Sequence, residues 1–177
     1  FITLDGKERK LSSADLMICD GEKPLCIAGI FGGTESGITE KTKNVFIESA
    51  YFSPEGIRKS VRQHDLRTDA SFRFERGADV SMTLYALKRA ALLMHEIAGG
   101  KVSSEITDVY PNPVQKKIIK LNYDYLNTLS GATIDKSVSK NILSSLGFEI
   151  KSETPDSLNV EVPHHKTDVV LPADLAE

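Results

Sequence analysis

The sequence predicts an α+β fold in two units. Three observations lead there. Short apolar runs bounded by Gly, Asp and Pro read as strands in both halves. Capped stretches with apolar residues three or four apart read as helices between them. Pro111-Asn112-Pro113 breaks the chain and divides it into residues 1–113 and 114–177.

Within the first unit, residues 1–11 read as a hairpin around Asp5-Gly6. Leu16-Met17-Ile18-Cys19 is a short strand, turned by Asp20-Gly21. Residues 24–31 read as its partner strand, apolar enough to be buried on both faces. Gly32-Gly33-Thr34-Glu35-Ser36-Gly37 follows, with three glycines in six positions. It is either a tight turn or a place where backbone approaches a ligand, and its spacing is neither Rossmann nor Walker. Val45-Phe46-Ile47 reads as a strand with Glu48 directly after it. That carboxylate is either solvated at the strand end, the commoner case, or aimed into a pocket.

Ser53-Pro54-Glu55 starts a helix with a cap, a first-position proline and an acid. Ile57 and Val61 share one face. Arg58, Lys59 and Arg62 share the other, a solvated face or one that meets phosphate. His64 is weak evidence for catalysis. Residues 67–77 pack three arginines, two acids, two phenylalanines and three small residues into eleven positions, a bent segment whose charges pair with each other. Asp79 caps a helix of about 19 residues whose stripe of Leu84, Leu87, Ala91, Met94 and Ala98 reads as core, closed by Gly99-Gly100.

The second unit reads as a strand at 117–121, a short helix at 123–129 closed by Gly131, and a helix from Asp135 or Ser137 to Gly147. A hairpin around Pro155-Asp156-Ser157 completes a small winged-helix-like outline. That outline raises a DNA-binding reading. The helices carry only Lys136 and Lys140, so electrostatics do not favour it. In the tail, Asp168, Asp174 and Glu177 are hard oxygen donors that suit Mg²⁺; helix-start acids are also common for dipole reasons.

Composition bounds the function. The 177 residues carry a net charge of −3, with 15 basic against 16 acidic residues up to Pro113 and 7 against 9 beyond it. Neither half has the field of a free-standing nucleic-acid binder. Cys19 and Cys26 read as free thiols in a reduced compartment. No apolar run has the length of a membrane span and no signal peptide is present. The absence of an initiating Met and the helix-like Asp174-Leu175-Ala176-Glu177 at the end read as an excised piece of a longer protein.

Several stretches taken together resemble the beta subunit of bacterial phenylalanyl–tRNA synthetase, over essentially the whole chain. They are Ala28-Gly29-Ile30-Phe31-Gly32-Gly33 with Ser36-Gly37, and Glu48-Ser49-Ala50-Tyr51-Phe52-Ser53-Pro54. Leu66-Arg67-Thr68-Asp69-Ala70-Ser71 with Arg73-Phe74-Glu75-Arg76-Gly77 follows, then Asp168 and the closing Asp174-Leu175-Ala176-Glu177. The resemblance implies a partial B3/B4 mixed α/β editing domain over 1–113 and a winged-helix-like B5 domain over 114–177. It implies a cytoplasmic α2β2 enzyme that charges tRNA(Phe) with ATP and Mg²⁺ at a site on the alpha subunit. The editing domain of the family hydrolyses mischarged Tyr-tRNA(Phe). An apolar pocket rejects one extra hydroxyl by only about 10²-fold, so a second sieve is useful.

By the same resemblance, Gly32, Glu48, Thr68 and Ala70 line the editing pocket. Glu48 accepts the phenolic proton, and Arg73, Glu75 and Arg76 form a brace. The family's editing histidine falls upstream of Phe1, which implies partial editing competence. Asp168, Asp174 and Glu177 match magnesium positions at a site shared with the alpha subunit, with a fourth acid expected beyond Glu177. His165-Lys166-Thr167 stands before Asp168, where many relatives have an arginine before the acid. The competing function for the second unit is a DNA-binding module or a structural spacer, and its net charge of −2 favours the spacer.

Overall fold

A computed structural model describes residues 1–177. The chain divides into two units, Phe1–Ile106 and Thr107–Glu177. The fold is α+β, as the capped helices and short strands predict.

In the first unit, β1 (Met17–Cys19), β2 (Pro24–Ile27) and β3 (Phe31–Gly32) form an antiparallel sheet in the order β1-β2-β3. The apolar run at 24–31 is therefore two strands, not one. Gly29, at φ +68, turns the chain between them, and Ile30 N–H closes the turn on Ile27 C=O at 3.0 Å. Gly29 is fixed by space as well as by φ. A Cβ there would lie 2.6 Å from Phe52 Cδ2 and 2.9 Å from Ile57 Cδ1. The hairpin expected at 1–11 is present only as a single bridge, Ile2 to Glu8, while Thr3 bridges to Gly33 after β3.

Helix α1 (Pro54–His64) starts as the sequence predicts, with Ser53 Oγ accepting from Gly56 N–H. Its apolar face puts Ile57 and Val61 into a core with Ile27, Ile30 and Leu66. Phe52 and Phe74 pack on that core edge to face, centroids 5.0 Å apart. Asp65, at φ 45, ends α1 in a left-handed turn, and α2 (Asp69–Phe74) follows. A 3-10 turn at Val80–Met82, capped by Asp79, leads into α3 (Thr83–Ala98). The α3 stripe read as core is not one: no residue of α3 is buried, because no other element of the unit covers it. Nor does Val45-Phe46-Ile47 form a strand; Phe46 is 94% exposed. Residues 37–53 contain no regular element, since no neighbouring strand offers them ladder partners.

A buried polar cluster ties the N-terminal segment to α1. Asp15 accepts hydrogen bonds from Ser60 Oγ (2.6 Å), Ser12 N–H (2.8 Å) and Gln63 Nε2 (3.1 Å). His64 Nε2 lies 3.0 Å from Asp15 Oδ2, within ion-pair range but outside hydrogen-bond geometry. Both side chains are almost fully buried, at 4% and 0% exposure. Burial alone would raise the Asp15 pKa. The donors from Ser60 and Ser12, with the His64 ring close by, more than offset it and hold the carboxyl at about 2.

The second unit pairs β4 (Ile118–Asn122), β6 (Ser157–Glu161) and β5 (Glu149–Glu153) as an antiparallel sheet in the order β4-β6-β5. Helices α4 (Tyr123–Ser130) and α5 (Lys136–Ser145) lie between β4 and β5 in the chain. Strand β4 alternates strictly, with Ile119 and Leu121 buried. They join Leu126, Leu143, Phe148, Leu158 and Val160 in the core. The short α6 (Pro172–Ala176) brings Leu175 and Ala176 against it. Segment 99–117, which holds Pro111 and Pro113, has no regular structure.

Two predictions follow from these contacts. Asp15 has a folded pKa below its ordinary 3.8, so its contribution is full above about pH 4 and is lost as pH falls toward 2. Asp15→Asn is expected to lower the melting temperature at pH 7 and to shrink the difference between melting at pH 7 and pH 3. For Gly29→Ala, strain and crowding add, and the first unit is expected to lose about 2 kcal/mol. Gly131→Ala has a similar φ of +70 but open space, and is expected to cost about half as much in urea unfolding.

Candidate functional site

Four sequence positions are expected to make a pocket: Gly32, Glu48, Thr68 and Ala70. Gly32 ends β3 directly across from Cys26 on β2. Its carbonyl accepts from Leu4 N–H at 3.0 Å, and a Cβ would stand 3.0 Å from Leu4 Cδ1. Gly33 is stricter still, because a Cβ would meet Phe1 Cζ at 2.6 Å and Leu25 O at 2.8 Å. The glycine pair thus lets residues 1–4 lie directly on the strand turn.

Glu48 sits in the irregular segment before α1 and forms no hydrogen bond or ion pair. The residue is exposed as a whole, yet its carboxylate is desolvated enough to push its pKa above the ordinary value. Burial also raises the Cys26 thiol, and the Glu48 charge adds to that rise. Glu48 is therefore within Coulombic reach of Cys26, the cross-strand neighbour of Gly32. Two of the four positions share one neighbourhood.

Thr68 caps α2 and also ties it to the strands. Its Oγ1 accepts from Ser71 N–H at 3.1 Å and donates to Ile30 C=O at 2.7 Å. Ser71 Oγ returns an acceptor to Thr68 N–H at 2.9 Å, completing a reciprocal cap. Ile30 is two residues before Gly32, so Thr68 is the third position held near the β2–β3 turn. Ala70 is exposed in the first turn of α2, next to buried Ser71.

The charged part of 67–77 only partly follows the expected brace. Arg76 pairs with Glu75 at 2.9 Å and donates to Phe72 C=O. Arg58 reaches over from α1 to the Glu75 carbonyl. Arg73 is exposed and takes no part. The sequence does not signal Asp15. Its partners Ser60, Gln63 and His64 lie 45 to 49 positions away on α1, a separation no local pattern reveals.

In the tail, the three proposed metal ligands do not come together. No group of three or more His, Cys, Asp or Glu is placed to hold an ion. Asp174 Oδ2 instead accepts from Val170 N–H (2.8 Å) and Leu171 N–H (2.7 Å), which keeps its carboxyl below the usual range. The oxygen donors suit Mg²⁺ in type, but this chain does not assemble a complete site. Lys136 and Lys140, the only cations on α4 and α5, are spent internally. Lys136 bonds the Pro155 carbonyl, and Lys140 pairs with Glu153 at 2.8 Å. No helix is long and apolar enough to cross a membrane.

A family model described as the B3/4 domain matches residues 1–99. The chain belongs to the B3/4 domain family. A second model, the tRNA synthetase B5 domain, matches residues 119–177 of this B3/4–B5 chain. Over 177 residues the chain is 50% identical to the phenylalanine–tRNA ligase beta subunit of Bacteroides fragilis (strain YCH46), covering 100% of itself and 22% of that protein. It is 51% identical over the same length to the beta subunit of Bacteroides thetaiotaomicron, again 22% of that protein. The beta subunit of Geobacter metallireducens is 41% identical, with the same coverage. The B3/4–B5 chain thus spans about a fifth of the length of these relatives, and the resemblance read from its motifs holds from end to end.

The double use of the Thr68 hydroxyl is open to test. Thr68→Val leaves Ile30 C=O without its donor and Ser71 N–H without its cap. It is expected to cost about 1–2 kcal/mol in urea unfolding, while Thr68→Ser restores most of it.

Proposed function

We propose that this chain is the editing and B5 portion of a phenylalanine–tRNA ligase beta subunit, and that its first unit hydrolyses mischarged Tyr-tRNA(Phe). The observation that carries the reading is Glu48. It is a partly desolvated carboxylate with no hydrogen-bond or ion-pair partner, within Coulombic reach of Cys26, which pairs with Gly32 across the strands. A carboxylate in that condition gains from a phenolic O–H, which tyrosine brings and phenylalanine lacks. Ala70 leaves space at the first turn of α2, and Thr68 fixes that turn to the strands.

The reaction is ester hydrolysis. Water adds its hydroxyl to the tyrosyl carbonyl, the C–O bond to the ribose breaks, and the ribose oxygen takes the proton. In this reading the chain selects and holds the tyrosyl group and contains no Ser-His-Asp set for covalent catalysis. The whole enzyme charges tRNA(Phe) with ATP in the cytoplasm as an α2β2 assembly. Asp168, Asp174 and Glu177 would offer oxygen donors to a Mg²⁺ only with further ligands from elsewhere in that assembly, since this chain does not bring the three together.

The test uses the full-length beta subunit assembled with its alpha subunit. Glu48→Ala and Ala70→Trp are each expected to slow Tyr-tRNA(Phe) deacylation by about tenfold or more, with phenylalanine charging retained. Wild-type deacylation in both variants rejects the site.

A further inference from the structure

The sequence contains seven arginines, and five of them fall between positions 58 and 76: Arg58, Arg62, Arg67, Arg73 and Arg76. Residues 54–76 carry six basic against four acidic side chains, while the rest of the chain carries sixteen against twenty-one. The helix pair α1–α2, whose second helix Thr68 caps, is thus a locally positive segment of an acidic chain, as is the lysine-bearing stretch 114–122.

Apart from Arg76, the exposed arginines here have no carboxylate partner, a state they share with Lys117 and Lys120 but not with every surface lysine. Lys23, Lys59, Lys116, Lys140 and Lys151 each reach a carboxylate at 2.7–2.9 Å. Arg62, Arg67 and Arg73 are exposed and reach none. Arg58 and Arg62 are one turn apart on α1 and share a face. The bond from Arg58 to Glu75 C=O brings the end of α2, and Arg73 with it, beside that face. Phe72 is on α2 as well. The residue is 57% exposed, and the Arg76 guanidinium stands 3.6 Å from its ring centroid. A wet phenylalanine backed by a guanidinium gains nothing for the core.

Forked guanidinium donors suit phosphate, and an exposed ring suits an unstacked base. Duplex RNA offers phosphates but no free base face, so the pairing of the two features favours a single strand. We infer that the α1–α2 face of Arg58, Arg62, Arg67, Arg73 and Phe72 binds single-stranded RNA, its phosphates on the arginines and one base on Phe72. This inference rests on the editing reading for its biological strand, which is the unpaired 3′ end that carries the ester toward Thr68.

The experiment separates the two claims. A fluorescent single-stranded RNA of about twelve nucleotides is titrated against the full-length αβ enzyme by anisotropy, over a range of KCl concentrations. Three enzymes are compared: the parent, Arg62→Gln/Arg73→Gln and Phe72→Leu. The arginine pair is expected to weaken binding about tenfold at low salt and to flatten the slope of log Kd against log salt by about 1.4, or 0.7 per lost phosphate contact. Phe72→Leu is expected to weaken binding about fivefold with the slope unchanged. Matched melting temperatures exclude misfolding as the cause. Parent-like binding and slope in the arginine variant, or no binding by the parent, overturns the surface. Arginine-dependent binding with no Tyr-tRNA deacylation by the parent keeps the surface and rejects the editing reading.

Discussion

One hydroxyl group holds the candidate site in register. Thr68 Oγ1 gives its proton to Ile30 C=O and takes one from Ser71 N–H. The first bond joins α2 to the β2–β3 turn, and the second orders the start of α2. A hydroxyl has one donor and two acceptor directions, so a single side chain can do both. Ala70, Ser71 and the arginines at 73 and 76 all hang from the helix that this group starts. Gly29 has the matching role on the strand side. Its positive φ aims the Ile30 carbonyl, and the absence of a Cβ lets Phe52 and Ile57 close underneath.

The first unit sorts its charges by task. Asp15 is fully buried and surrounded by donors, so it works as an internal fastener between the N-terminal segment and α1. Glu48 is the opposite case, an exposed residue whose carboxyl is pushed up by partial desolvation and which has no donor of its own. Stability alone gives no reason to keep such a group, which makes it a functional candidate on physical grounds. Exposed arginines without carboxylates are a milder form of the same imbalance.

What could be read in advance was local chemistry. The Ser53-Pro54-Glu55 start, the αL glycines at 99 and 131, and the alternation of Ile119 and Leu121 all decide structure within a few residues, and all are present. The failures lie where structure depends on distant partners. Apolar composition at 24–31 suggested one strand, but Gly29 allowed a turn that long-range packing on Phe52 then fixed. Val45-Phe46-Ile47 has strand composition and no strand beside it. Of the candidate site, the four positions expected to line a pocket were visible as a family pattern. The Asp15 cluster and the Cys26–Glu48 proximity join positions too far apart in sequence to be seen.

The uncovered stripe of α3 has a practical consequence. Leu84 and Met94 of that stripe are 37% and 38% exposed, and Leu92 and Ile97 on the same sixteen-residue helix are 46% and 82% exposed. Water against that much hydrocarbon is an unfavourable state, and two such helices can relieve it by meeting. A preparation of these 177 residues alone would have its colloidal behaviour set by this helix rather than by its net charge of −3. Concentration and salting-out anions would then govern how long it stays dispersed, because both promote contact between apolar surfaces.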